Sequence, residues 1–334
     1  MKYTNTVLKG IGIYHPKNKI GNDFFIKHFK ENGRNAEKLM LKLGRKQRYL
    51  VKGSNENALT MAADASKAAL DNAGIKPDAL DMIVFVSETP EYLVPTNALI
   101  LRNKIGACNA NIVYDMNANC IGMINSLDTT CRYIKNNSKV KHALIVGSLF
   151  ISSMVRKDCI VTYPNIADGS AAIIIKNTEE PYINGFIDSE YHTDSTRYDL
   201  IMSPGCGLSN ILDSQIEEGK KKLCWVPHEV DFFSTEWKKI IVKMLNRNGL
   251  APDDIDQYFF SQFSKPDAEA TLLKLGVGLE KQTFVGEKYG YTGCASPFFA
   301  LNDAIKQNRV KKGSLVVFCS VGAGYSMSTV LFKI

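Results

Sequence analysis

The sequence predicts an α/β protein of two pseudo-symmetric halves whose sheets are stacked through shared helices, a layered α/β/α/β/α arrangement. Three observations carry this. A segment of the first half recurs in the second, the strand-like runs are too continuously apolar to have a wet face, and strand and helix patterns alternate along the chain.

The repeat is Asn72-Ala-Gly-Ile-Lys-Pro-Asp-Ala-Leu-Asp-Met-Ile-Val-Phe-Val-Ser87 against Arg247-Asn-Gly-Leu-Ala-Pro-Asp-Asp-Ile-Asp-Gln-Tyr-Phe-Phe-Ser261. Before each copy lies an amphipathic helix, Asn57–Ala73 or Ser234–Asn248, with apolar residues three and four apart and a glycine to stop it. Pro-Asp opens a turn, and a buried strand follows, Met82–Val86 or Tyr258–Phe260. A second helix begins near Cys120 in one half and near Tyr291-Thr292-Gly293 in the other. Strands Ala143–Val146 or Leu315–Phe318, and then Ala171–Ile175 or Ser328–Phe332, complete each half. The boundary is expected near Lys176–Ile183, giving halves 1–178 and 179–334. Twofold pseudo-symmetry brings the helix starts at Cys120 and Tyr291 together at the centre, where a site would form.

A chain of 334 residues exceeds what one core usually supports, and 45% apolar with 22% charged residues suits a protein folded throughout. No run of about 18 uncharged apolar residues and no signal peptide are present, which predicts a cytoplasmic protein without a membrane span. The eight cysteines contain no C-x-x-C pair and lie mostly in apolar runs, unlike a disulfide framework or zinc site. The net charge of +7 is spread over scattered lysine pairs and triplets. That pattern argues against nucleic acid and leaves an acidic protein partner open.

Cys120 stands apart from the other cysteines. In Ile112-Val-Tyr-Asp-Met-Asn-Ala-Asn-Cys-Ile-Gly-Met-Ile-Asn-Ser-Leu127 a strand enters a helix through a tight turn, with Cys120 at the helix start. Unpaired amides and the helix dipole favour thiolate there, so a lowered thiol pKa is expected. Gly122 leaves room for a second segment.

This stretch, with Asp115, Asn117, Cys120 and Gly122, resembles the nucleophile turn of the β-ketoacyl-acyl-carrier-protein synthase III family of thiolase-fold enzymes. Gly10-Ile-Gly-Ile-Tyr-His-Pro16 resembles the family's opening strand, and Ser87–Thr96 its segment across the dimer interface. Asn165-Ile-Ala-Asp-Gly-Ser-Ala-Ala172 is similar to a further glycine turn, and Gly322-Ala-Gly-Tyr-Ser326 to the C-terminal glycine loop. The resemblance covers nearly the whole chain. It implies a thiolase-like fold, acylation of Cys120 from acyl-CoA or acyl carrier protein, backbone amides of Cys120 and Ala323 as oxyanion donors, and a homodimer. It implies no cofactor and no metal.

Two family residues are missing. Alignment places Ser261 where the family has histidine and Tyr291 where it has asparagine, the pair that stabilises the enolate formed when malonyl thioester loses carbon dioxide. The five histidines, at 15, 28, 142, 192 and 228, fall in segments not expected to reach Cys120; Gln262, Glu287 and Tyr289 lie nearer in the family frame. Val94 stands where the family places an aromatic in the partner's acyl pocket, which implies a longer or branched acyl group. Lys265 is the candidate for docking a carrier, beside Pro266 at the family's arginine position. The expected function is acyl transfer through Cys120 to an acceptor other than malonyl thioester. Two alternatives stay open: decarboxylative condensation by a non-standard site, and a non-catalytic subunit of a heteromeric synthase.

Overall fold

The structure, a computed structural model, describes residues 2–228 and 230–334. Nine strands carry the fold: β1 (Tyr3–Tyr14), β2 (Met82–Val86), β3 (Ile112–Met116), β4 (His142–Leu149), β5 (Gly169–Glu180), β6 (Gly185–Thr193), β7 (Gln257–Phe260), β8 (Leu315–Gly322) and β9 (Ser326–Lys333). Their order is β7-β8-β9-β6-β1-β5-β4-β2-β3. A single parallel pairing, Thr6 with Gly185, joins β1 to β6 at the middle of this order.

On either side of that joint the two halves repeat one topology. In the first, β3, β2 and β4 run parallel, β5 is antiparallel to β4, and β1 is antiparallel to β5. In the second, β7 and β8 run parallel, β9 is antiparallel to β8, and β6 is antiparallel to β9. The counterpart of β3 is reduced to one parallel bridge between Gln282 and Tyr258.

Six helices fill the layers: α1 (Ala58–Ala73), α2 (Asn97–Ile105), α3 (Gly122–Lys135), α4 (Phe233–Arg247), α5 (Lys265–Leu275) and α6 (Ser296–Lys306). The repeated helix and strand bounds fall within a residue or two of the sequence pattern for α1, α4, β2 and β7. Asn57 and Thr60 form a capping box at the start of α1, and Gly74, at φ +66°, ends it. The alanines of α1 let it lie directly on β1: a Cβ on Gly12 would sit 2.4 Å from Ala65 O and from Ala69 N.

Helices α1 and α2 cover the outer face of the first sheet and α4 and α5 that of the second. The central cluster joins α3 and α6 to both sheets. Nine of the eleven residues of α6 are buried, as a helix held between two sheets requires. The five layers are therefore α/β/α/β/α, the thiolase-like fold. Helix α6 starts at Ser296, after a 3-10 turn over Gly293–Ala295, a few residues later than the Tyr291 expected from the repeat. Among the described residues, no helix is long and apolar enough to cross a membrane.

Candidate active site

The Cys120 turn is held from several directions. Asn117 Oδ1 accepts from Asn119 N at 3.0 Å, and Asn119 adopts φ +52°, a left-handed conformation that asparagine tolerates. Asn119 Nδ2 donates to Ala323 O at 3.1 Å, and Ser320 Oγ to Cys120 O at 3.2 Å, so the turn is tied to the loop after β8. A Cβ on Gly122 would lie 2.6 Å from Val86 Cγ1, which explains a glycine where α3 begins. Asp115, part of the same motif, stands outside the site: it accepts from Asn97 N and Ala98 N and braces the start of α2.

Cys120 opens into a cavity whose walls include Ile151, Leu223, Trp225, Phe233, Trp237 and Phe263. Glu88, Ser261, Tyr291 and Ala323 share that cavity. The residues expected from the two helix starts thus do meet at the centre of the molecule. Backbone bonds from Tyr291 N to Asn165 O (3.1 Å) and from Ala167 N to Tyr291 O (2.8 Å) fix the tyrosine, and Phe263 meets its ring edge to face at 5.2 Å. The Tyr291 hydroxyl contacts both the Cys120 thiol and Ser261. Ser261 is 1% exposed, and its hydroxyl makes no well-aligned hydrogen bond among the described residues.

The electrostatics correct one expectation. Burial pushes the Cys120 thiol well above its ordinary range, and the neighbouring Glu88 carboxylate adds to the rise; the Tyr291 hydroxyl partly offsets it. Desolvation and a neighbouring anion outweigh the helix start, so the resting sulfur is a thiol. Burial also raises Tyr291 well above an ordinary phenol.

Glu88 was not among the residues singled out from the sequence. Its Oε1 is sealed from solvent with no hydrogen-bond partner among the described residues, and its carboxyl neighbours the Cys120 thiol. Burial pushes its pKa up to about 7. A signal was present: Glu88 follows the buried strand β2 at its carboxyl end, where open α/β sheets place their ligands. In the repeat, with the Gly-x-x-Pro-Asp cores aligned, its counterpart is Phe263.

The other expected residues are dispersed. Val94 is 86% exposed and lies outside its own chain's Cys120 cavity. Lys265 opens α5 on the outer surface beside Phe263 and Ser264 of the cavity wall, with its Nζ 3.6 Å from Glu269. Gln262 is structural, accepting from Val285 N at 2.7 Å; Tyr289 donates to Asp303 at 3.1 Å; Glu287 pairs with Lys46 at 2.8 Å. No histidine lines the cavity among the described residues. His228 comes nearest, bonded to the hydroxyl of the wall residue Tyr325. Among the described residues no three His, Cys, Asp or Glu side chains cluster to hold a metal ion.

Arg45 lies behind the segment that follows Ser261. It is buried, and its guanidinium donates to four backbone carbonyls: Asn165 (3.2 Å), Leu43 (3.1 Å), Gln262 (2.7 Å) and Phe263 (2.6 Å). It therefore clamps the segment after Ser261 to the loop that holds Tyr291.

Comparison with known proteins gives one consistent family. The family described as 3-oxoacyl-(acyl-carrier-protein) synthase III matches residues 114–195, and its C-terminal part matches residues 245–334. β-Ketoacyl-(acyl-carrier-protein) synthase III of Coxiella burnetii (strain RSA 493 / Nine Mile phase I) is 28% identical, with 98% of each chain covered. That of Clostridium perfringens (strain SM101 / Type A) is 28% identical, with 99% of each covered. The crystal structure of 3-oxoacyl-(acyl-carrier-protein) synthase III from Aquifex aeolicus VF5 superposes with a TM-score of 0.86 at 25% identity, over 99% of this chain and 100% of that one. The priming β-ketosynthase of the R1128 polyketide pathway shares the fold, with a TM-score of 0.87 at 18% identity over 99% and 97%.

Proposed function

The chain belongs to the 3-oxoacyl-(acyl-carrier-protein) synthase III family, and we propose that it acts as an acyltransferase whose Cys120 carries the acyl group between a thioester donor and a second substrate. The observation behind this reading is a half-buried cysteine on the wall of an apolar cavity shared with the Ala323 loop. The donor is acyl-CoA or acyl carrier protein. The Cys120 sulfur bonds to the donor's carbonyl carbon, the amides of Cys120 and Ala323 hold the tetrahedral oxyanion, the donor's carbon–sulfur bond breaks, and the thiol proton ends on the departing thiol.

The acyl chain occupies the apolar walls. Exposed Tyr92, Leu93 and Val94 form the segment that a second copy of the chain would cover, and the small Val94 leaves space there for a longer or branched chain. Lys265 is the proposed contact for an acidic carrier.

The acceptor in this reading is not malonyl thioester. Losing one transition-state donor typically costs about 2.7–4 kcal/mol, and here both family donors are replaced by side chains with a single hydroxyl. A second reading keeps decarboxylative condensation, because Tyr291 and Ser261 present two hydroxyls side by side in the cavity. Incubating the protein with acyl-CoA of several chain lengths and weighing it intact tests the first step. An acyl adduct is expected on the native protein and not on Cys120→Ala; no adduct from any donor would reject the reading. Carbon dioxide release from malonyl thioester would favour the second.

A further inference from the structure

The cavity wall holds one group that the acyl-carrying role of Cys120 leaves unexplained. Glu88 lines a largely apolar space beside the sulfur that would hold the acyl group, with one carboxyl oxygen, Oε1, sealed behind it and unpartnered among the described residues. Its place is tightly set. It faces Gly293, where a Cβ would come 3.4 Å from Glu88 Oε1 and 2.4 Å from Leu149 Cδ2. Among the described residues the wall contains no histidine, lysine or arginine to pair with it.

We propose that Glu88 is the proton acceptor and donor of this site, and that the acceptor substrate is an uncharged hydroxyl compound, so that the product is an ester. This rests on Cys120 carrying the acyl group. In the transfer step the acceptor oxygen bonds to the thioester carbon while its proton passes to the Glu88 carboxylate. The tetrahedral intermediate then collapses, the carbon–sulfur bond breaks, and Glu88 returns the proton to the Cys120 sulfur. Thioester and alcohol become ester and thiol with no other reactant.

Charge selects among acceptors. A malonyl thioester would bring its carboxylate into an apolar space that already holds the Glu88 charge, with no cation on the wall to offset either. An alkylamine arrives as an ammonium ion, whose proton a carboxylate of this strength holds too weakly to remove. A hydroxyl is neutral on entry, and its proton need leave only as the new bond forms, which suits a base titrating near neutrality. Glu88, pushed up to about 7 by burial, is such a base, whereas Cys120 and Tyr291 are held protonated.

The test is a two-stage mass measurement on the native protein. Octanoyl-CoA first loads Cys120, the adduct is read by intact mass, and excess donor is removed. Benzyl alcohol, benzylamine or malonyl-CoA is then added, and loss of the adduct is timed. Benzyl alcohol should discharge the adduct as benzyl octanoate, at a rate that rises with pH through about 7. Glu88→Gln, loaded with a reactive aryl octanoate, should discharge about 100-fold more slowly or worse, and its melting curve is read on the same sample to show that it is folded. A loaded protein that discharges to malonyl-CoA or benzylamine but not to benzyl alcohol, a flat pH profile, or native discharge rates in folded Glu88→Gln would each overturn the inference while leaving acylation of Cys120 standing. Failure to load at all would overturn both.

Discussion

Replacing Glu88 by glutamine should stabilise the protein at alkaline pH while damaging its site. The buried carboxyl titrates at about 7 against an ordinary value of 4.5. Between those values the folded state keeps a proton that the unfolded chain has released, so native stability falls as pH rises through this window and levels off above it. At ~1.4 kcal/mol per pKa unit, the full difference is about 3.5 kcal/mol. Glutamine has the same shape, carries no charge and escapes this cost. With ~2.1 cal/mol/K of unfolding entropy per residue over 334 residues, the variant should melt about 5 °C higher near pH 8 and within about 1 °C of the native protein near pH 4.5. Thermal melts of both proteins across that range measure it. A difference that does not change with pH, or a variant less stable near pH 8, would refute the assignment of a buried, ionising carboxyl.

Arg45→Met strips the donor from four buried carbonyls and should lower stability by about 2–4 kcal/mol in a denaturant titration, with Arg45→Lys recovering only part, since an ammonium lacks the planar fork. Gly12→Ala pushes a methyl into the α1 backbone and should cost about 3 kcal/mol, whereas Gly21→Ala, with nothing within 4 Å, should stay within about 0.5 kcal/mol of native; both are read from melting curves. Val94→Phe should shift donor preference in the loading assay toward shorter acyl groups. Lys265→Glu should slow loading from acyl carrier protein more than loading from acyl-CoA, and equal effects would reject its docking role.

The layered fold was legible because its evidence is repeated: the same glycine, Pro-Asp turn and apolar strand occur twice, and a buried parallel strand announces itself as an unbroken apolar run. Cys120, Ser261, Tyr291 and Ala323 follow from the resemblance to the family, segment by segment, and all four line one cavity. The thiol's protonation was not legible, because it depends on how much protein surrounds the sulfur and on Glu88, a neighbour 32 positions away in the chain. Glu88 was overlooked for a related reason. Its segment resembles one assigned to a subunit interface, and its place at the carboxyl end of β2 marks where a ligand would sit without saying whether the glutamate faces solvent or a thiol. Arg45 lies in the charged stretch Arg45-Lys-Gln-Arg48, which reads as surface, yet both arginines are buried. Only tertiary packing decides that.

The hydrogen bond from Asn119 to Ala323 crosses between the two halves of the chain, and its reach goes beyond the turn it steadies. Neither half owns the whole cavity: one supplies Cys120 and Glu88, the other Tyr291, Ser261 and the Ala323 loop, so the proposed chemistry needs both. A polypeptide still emerging from the ribosome, with its first half already folded, would hold a reactive atom without the walls that give it work. Competence to react is therefore a property acquired only when the last strands dock, and the rate at which a thiol reagent modifies Cys120 would serve as a clock for that final event.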